Sequence, residues 1–359
     1  MRAAVAEAIH EPVRVRDDVT LIEPGPHEVR VRLHASGICR SDLSTIDGVL
    51  AQPMPVVLGH EGAGEIVAVG SQVAAAQVGD RVVLAWIAPC GACRHCLRGE
   101  AHLCTVHVKA GWARPRFRLG DTPAFGMAGC GTWAQETVVP EAAAIEVGAD
   151  VPYEIAALLG CGVTTGVGAV VNTAGVRPGE SVLIVGCGGV GLSAIQGARL
   201  AGAGLIVAVD PVPAKHGLAR NFGATAACAP ADVGATLKSL GLGRGADHGF
   251  DVVGRPETIR AAWDGTRRGG TVVVVGAGGA ARDVCFSASE LLFDGKRLLG
   301  ALYGSADVRR DFATLIGLWR AGRLDLAAMV SSTIALDEVD EGLRRLRAGD
   351  AVRHLVTFG

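Results

Sequence analysis

The chain has 359 residues, 49% of them hydrophobic and 19% charged, with a formal net charge of −2. That apolar content excludes a disordered chain, and the 51 glycines follow no Gly-X-Y period, which excludes collagen. No run of five like charges exists, so there is no nucleic-acid stripe, and the length predicts two domains because single cores stop growing near ~250–300 residues.

The N-terminal stretch MRAAVAEAIHEPVRVRD lacks the apolar region of a signal peptide. The longest apolar runs, such as TVVVVGAGGAA, fall short of the ~18 residues of a membrane helix. The expectation is a soluble, cytoplasmic protein with no membrane or nucleic-acid partner. Residues 1–150 read as short strands broken by Gly and Pro, among them VRVRLHASGIC (29–39), GAGEIVAVG (62–70) and DRVVLAW (80–86). This predicts an irregular, mainly antiparallel β region. The segment Lys109 to Arg118 carries four cations in ten residues and reads as a solvated loop or an anion contact.

Four of the ten cysteines fall in Cys90-x2-Cys93-x2-Cys96-x7-Cys104. Without a secretion signal, such a cluster reads as a metal site before a disulfide framework. Four thiolates suit a closed, structural zinc site, with an iron–sulfur cluster as the rival reading.

From about residue 165 the pattern changes. SVLIVG (181–186), LIVAVD (205–210), GADHGFDVVG (245–254) and TVVVVG (271–276) read as buried strands. The segments GLSAIQGARLAGA, AKHGLARNFGA and ETIRAAWDGTR between them read as helices. Alternation of this kind predicts βαβ units and a parallel sheet. The tail has two helical segments, DVRRDFATLIGLWRAG and IALDEVDEGLRRLRAG, and a closing strand RHLVTF.

Gly186, Gly188 and Gly191 form G-x-G-x-x-G between a strand and a helix, with Gly189 and Val190 inside the turn. Gly186 makes the turn, Gly188 admits a pyrophosphate and Gly191 lets helix and strand pack closely. Phosphates would then meet the free N–H groups of the helix start. Asp210 ends the next strand, 19 residues beyond Gly191, where its carboxylate can accept from ribose hydroxyls and repel a 2′-phosphate. The expected cofactor is therefore NAD.

The motifs GICRSD (37–42), GHEGAG (59–64), the four-Cys loop, GCGVTTGVGA (160–169), GCGGVG (186–191) and VRHLVTF (352–358) occur in the order found in the medium-chain dehydrogenases. Over nearly its whole length the chain resembles the zinc alcohol dehydrogenases of that family. The resemblance implies an α/β fold: a GroES-like β-rich catalytic domain over 1–162 and 303–359, with the structural zinc loop at 90–104. A doubly wound Rossmann NAD-binding domain would span 163–302, with the active site in the cleft between the two. It implies two zinc ions per chain, the catalytic one held by Cys39, His60 and Cys161, with a fourth position open for chemistry. Glu61 would be a carboxylate close behind the metal, either displaceable onto it or supporting its ligands, a loop salt bridge being the alternative. Asp42 would accept from the His60 ring, and Ser41 would bond the substrate hydroxyl and pass its proton on. Many relatives carry a His three residues after that Ser; this chain has Ser44, so a water or the cofactor ribose would take the outer step. Arg40 and Arg353 match pyrophosphate clamps, Lys215 a ribose contact and Arg255 a residue beside the adenine.

Trp86 aligns with a wall of the substrate pocket, packing in the core being the alternative, and Tyr303 aligns near the nicotinamide. The substrate expected is a primary alcohol or its aldehyde, aromatic or extended. Similarity in VVLAWIAPCGACRHC and VVGRPET also points to a thiol-adduct formaldehyde dehydrogenase of the mycothiol type. Leu50 and Gln52 stand where the glutathione branch carries acids, which argues against glutathione. Cys161, where polyol dehydrogenases commonly carry Glu, argues against that branch. A non-catalytic nucleotide-binding member of the fold is opposed by the intact Cys39, His60 and Cys161. Relatives form dimers or tetramers, and the apolar segment 276–303 reads as either the interface between copies or buried core.

Overall fold

A computed structural model describes residues 1–279, 282–349 and 352–358, with the side chains of 107 and 109–111 outside the description. The chain divides into two compact units, Met1–Cys161 with Asp307–Gly359, and Gly162–Ala306.

The first unit is built on two sheets. One has six strands in the order Arg14–Arg16, Ala3–Ala6, Val56–Val57, Thr122–Gly126, Phe117–Leu119, Val19–Leu21. The other has seven strands, and its spine is Glu28–Gly37. This strand pairs antiparallel with Gly62–Val69 along one edge, and with Glu136–Pro140 and then Arg353–Thr357 along the other. Its inward positions Val29, Val31 and Leu33 pack with Ile66, Val82, Leu84 and Val139, so alternation in the sequence becomes one buried face. The expected antiparallel character holds for most pairs. The exceptions are Val56–Val57 with Thr122–Gly126 and Val330–Ala335 with Arg353–Thr357, both parallel.

In the second unit six parallel strands run in the order Ala226–Cys228, Leu205–Val209, Ser181–Val185, Ala246–Asp251, Thr266–Val274, Arg297–Gly300. Numbered along the chain within this unit, that order is 3-2-1-4-5-6, the doubly wound arrangement, and its switch point lies beside Ser181–Val185. All five residues of Ser181–Val185 are buried, as a strand covered on both faces requires. The unit runs on to Ala306, beyond the expected end at 302, because the turn Leu302–Ser305 belongs with it. The Gly304 α-carbon lies so close to the helix Gly162–Gly168 that a Cβ on it would sit 2.4 Å from the Thr164 carbonyl oxygen. No single helix among the described residues is long and apolar enough to cross a membrane.

The basic segment departs from the expected loop. Thr105–Ala113 is a helix and Phe117–Leu119 a strand; the Lys109 side chain lies outside the described residues. Arg114 and Arg116 both reach Glu28, Arg114 at 2.9 Å, and Arg116 is only 3% exposed. Arg116 is used inside the fold, whereas Arg114 meets Glu28 from the surface. Burial pushes the Glu28 carboxyl up, but the hydrogen bond and charge of Arg116 outweigh it and hold the group below its ordinary range. A depressed carboxylate stabilises above its unfolded value, about 4.3, and that contribution is lost as the pH falls through the folded value. Glu28→Ala strands a buried guanidinium and is expected to destabilise the chain by about 3 kcal/mol at pH 7, and by less near pH 3. Urea unfolding at the two pH values checks this, and an equal loss at both contradicts it.

Candidate metal and dinucleotide sites

Sheet register brings the first ligands together. Ala35 pairs with Ala63 and Ser36 with Gly62, so the end of Glu28–Gly37 lies beside the start of Gly62–Val69. Cys39 follows the first strand by two residues and His60 precedes the second by two. Cys161 arrives from the far end of the helix Tyr153–Leu159, through Gly160. A Cβ on Gly160 would lie 3.1 Å from the Glu61 α-carbon, so a side chain there would crowd Glu61.

Cys39, His60, Glu61 and Cys161 each offer a ligand atom, and these atoms lie within 4.8 Å of one another. All four residues are buried, Glu61 completely. Two sulfurs, an imidazole nitrogen and a carboxylate oxygen converging inside a core suit zinc, and removing the carboxylate leaves one position open. A hydrogen bond from Cys161, opposed by burial and helped by the Arg353 and His60 charges, holds the Cys39 thiol well below its ordinary value. Burial raises the Glu61 carboxyl to about 7, with Arg353 opposing.

Asp42 faces the His60 ring and two backbone segments. Its Oδ1 stands 3.5 Å from His60 Nδ1, beyond good hydrogen-bond length. Its oxygens accept from the Cys39 N–H at 2.7 Å and the Gly59 N–H at 3.1 Å. This fully buried carboxylate therefore ties together the two backbone segments that carry Cys39 and His60. Arg353 also has partners the sequence did not suggest. It is 4% exposed, donates to the Ile38 carbonyl at 3.1 Å and lies 3.3 Å from Glu61 Oε1. Its place in the fold is beside the metal ligands. Arg40 is exposed at the start of the helix Arg40–Ile46. Ser41 is half-buried, with Oγ 3.8 Å from Cys39 Sγ. Ser44 is half-buried, and its carbonyl accepts from Val49 and Leu50. Trp86 packs half-buried against the cluster that contains Met127 and Ala128. Gln52 Oε1 accepts from Ala128 N–H at 3.2 Å.

The second cluster is Cys90, Cys93, Cys96 and Cys104. Cys90 and Cys96 sulfurs are 4.0 Å apart and those of Cys93 and Cys104 are 3.9 Å apart. Disulfide sulfurs stand about 2.05 Å apart, whereas four sulfurs around one zinc at ~2.3 Å lie about 3.8 Å from each other. Backbone N–H groups of Cys90 and Cys93 point at Cys104 and Cys90 sulfurs, at 3.4 and 3.3 Å. The donor set is complete and closed, so this site holds structure together and leaves no position for substrate.

The dinucleotide turn lies in the second unit. Gly186 has φ +106°, open to glycine alone without strain. A Cβ on Gly191 would stand 1.9 Å from the Gly186 carbonyl oxygen, whereas one on Gly188 would meet no protein atom. The first and third glycines thus serve the fold, and the space at the second is open to a ligand. Gly188 caps the helix Gly189–Leu200, which includes Val190. Asp210 is 5% exposed and accepts from Cys187 N–H at 2.8 Å and Val212 N–H at 2.9 Å. Lys215 Nζ lies 3.9 Å from it. Arg255 is exposed and precedes the helix Pro256–Asp264. Tyr303 is 2% exposed with φ +52°. Within 276–303, Ala280 and Ala281 lie outside the described residues, and Leu291, Leu292, Phe293, Leu298 and Leu302 are exposed, so much of this segment is surface.

Comparison with known proteins gives two family models: an alcohol dehydrogenase GroES-like domain over residues 25–149 and a zinc-binding dehydrogenase over 189–320. An S-(hydroxymethyl)glutathione dehydrogenase of Synechocystis sp. is 35% identical, with 99% of each chain covered. Among solved structures, benzyl alcohol dehydrogenase from Acinetobacter calcoaceticus superposes with a TM-score of 0.93 at 30% identity, covering 100% of this chain and 99% of that one. A zinc-binding dehydrogenase of Sinorhizobium meliloti 1021, bound to NADP, gives 0.82 at 28% identity with 99% of both chains covered.

Proposed function

The chain belongs to the zinc-containing medium-chain alcohol dehydrogenase family, and on that premise we propose that it interconverts a primary alcohol, aromatic or extended, and its aldehyde with NAD. It is a zinc-dependent oxidoreductase acting on a small alcohol or aldehyde with a nucleotide cofactor. The observation that carries the reading is the buried convergence of Cys39, His60 and Cys161 with the Glu61 carboxylate beside them. Zinc held there supplies Lewis-acid polarisation of a substrate oxygen, and NAD on the Gly186–Gly191 turn supplies the hydride acceptor.

The chain's own residues do the remaining work. Ser41, half-buried beside the Cys39 sulfur, accepts the hydroxyl proton and hands it to a water or the cofactor ribose, with Ser44 on the same helix. Asp42 fixes the spacing of Cys39 and His60 through their backbones. Arg40 contacts the pyrophosphate, Lys215 the ribose and Arg255 the adenine side. Trp86 forms one wall for the substrate.

Asp210 supports NAD over NADP, because a 2′-phosphate would bring negative charge against a buried carboxylate. Asp210→Asn is expected to raise the NADP-to-NAD ratio of kcat/KM by roughly a hundredfold, the effect of relieving a like-charge clash of a few kcal/mol. Steady-state kinetics with both cofactors checks it, and an unchanged ratio would remove Asp210 from cofactor choice.

The main test is an NAD-linked activity screen over primary, aromatic, terpene and thiol-adduct alcohols. Aromatic primary alcohols are expected to be the best substrates. The second reading, a thiol-adduct formaldehyde dehydrogenase, is favoured by the Synechocystis relative. Formaldehyde turnover that depends on added mycothiol or glutathione would establish it in place of the first. The exposed apolar residues Leu291, Leu292 and Phe293 support self-association of this chain as a dimer or tetramer. Light scattering of the wild type and Leu292→Asp tests this.

A further inference from the structure

Glu61 occupies an unusual place for a carboxylate. It is 0% exposed and neither oxygen has a hydrogen-bond partner. One oxygen has a cation, Arg353, at 3.3 Å. The other lies where Gly37 has no side chain: a Cβ on Gly37 would stand 2.0 Å from Oε2 and 3.0 Å from both Cβ and Cδ of Glu61. Yet a Glu61 oxygen is also within 4.8 Å of the ligand atoms of Cys39, His60 and Cys161. The carboxylate therefore has two attractors, the metal position and the niche formed by Gly37 and Arg353.

We propose that Gly37 and Arg353 are positioning residues: the missing side chain of Gly37 makes the niche that receives the Glu61 carboxylate, and Arg353 holds it there, so that the fourth metal position stays available to substrate. The Gly37 backbone cannot retreat to make room for a side chain. Its N–H donates to the Glu61 carbonyl at 2.8 Å, its carbonyl accepts from Trp133 Nε1 at 3.1 Å, and it pairs across the sheet with Leu355. A methyl group at Gly37 must displace the Glu61 side chain, and the direction left with an attractor is toward the ligand cluster. Loss of the Arg353 charge acts in the same sense, by removing the competitor for the carboxylate.

The proposal rests on Cys39, His60 and Cys161 being the ligands, and the test separates the two ideas. The readout is imidazole binding to the cobalt(II)-substituted enzyme, followed through the visible d–d bands; the four-cysteine site is closed and does not respond. In Gly37→Ala the apparent imidazole affinity is expected to fall about tenfold or more, as it would if the carboxylate filled the fourth position about nine-tenths of the time. In Gly37→Ala/Glu61→Ala it is expected to return to the value of Glu61→Ala alone. Arg353→Gln, with and without Glu61→Ala, repeats the comparison should Gly37→Ala not fold. An imidazole response in the wild type with unchanged affinity in the variants overturns the proposal alone. A loss that Glu61→Ala does not restore also overturns it, since the effect is then general distortion. No imidazole response in the wild type overturns the ligand assignment and the proposal together.

Discussion

Cys161→Ala is expected to lower kcat/KM by at least about a thousandfold, reduce zinc from two ions to one per chain and leave NAD affinity unchanged. Lewis-acid stabilisation of developing charge on oxygen is worth several kcal/mol, and about 4 kcal/mol corresponds to that factor. The substitution removes one of three ligands that leave a position open, so the site loses the ion as well as one thiolate. The packing lost is small, because one sulfur becomes a hydrogen in a residue 8% exposed. NAD affinity is the internal control: the turn Gly186–Gly191 and Asp210 belong to the second unit, whereas Cys161 closes the first. Metal analysis, titration of NAD by fluorescence and steady-state kinetics together decide it. Near-normal turnover in a sample with a single zinc per chain would refute the assignment of the catalytic metal.

Cys104→Ala is expected to remove the other ion and destabilise the first unit by several kcal/mol. The loop it closes has little else to hold it. Its helical pieces, Arg94–Leu97 and Ala101–Leu103, are a single turn each, and Leu97 is 75% exposed. Such a segment buries too little apolar surface to offset the entropy of ordering it. Metal ligation therefore supplies much of its order; for isolated zinc fingers that contribution is about 10–16 kcal/mol, and it is smaller here because the sheets of the unit fold on their own core. Cys104 is fully buried, and its sulfur also accepts from the Cys90 backbone. The expected signs are one zinc per chain, a lower midpoint in thermal unfolding and rapid proteolytic cleavage between residues 90 and 104. Identical midpoints and proteolysis for variant and wild type would show that the loop is ordered without its metal.

Much of the architecture was legible because its signals are local. Buried apolar runs gave the parallel strands Ser181–Val185 and Leu205–Val209, and the glycine spacing located the dinucleotide turn between strand and helix. Four cysteines within fifteen residues announced a metal site without any tertiary information. The basic stretch from Lys109 to Arg118 misled, because composition reports charge and not the distant carboxylate that absorbs it: Glu28 is 88 residues from Arg116.

The sequence by itself determined which stretches are strands and helices, where the phosphate-binding turn lies and that a thiolate cluster is present, since each depends on residues within a few positions of one another. Only the tertiary structure brought Cys39, His60 and Cys161 to one point, because they are joined through sheet register and a helix end, and no spacing encodes that. It alone turned Arg353 toward Glu61, gave Asp42 its hold on two backbone segments and exposed the reason for a glycine at position 37. Those are relations between atoms on different strands. Their energies depend on distance and burial, which a linear pattern does not carry.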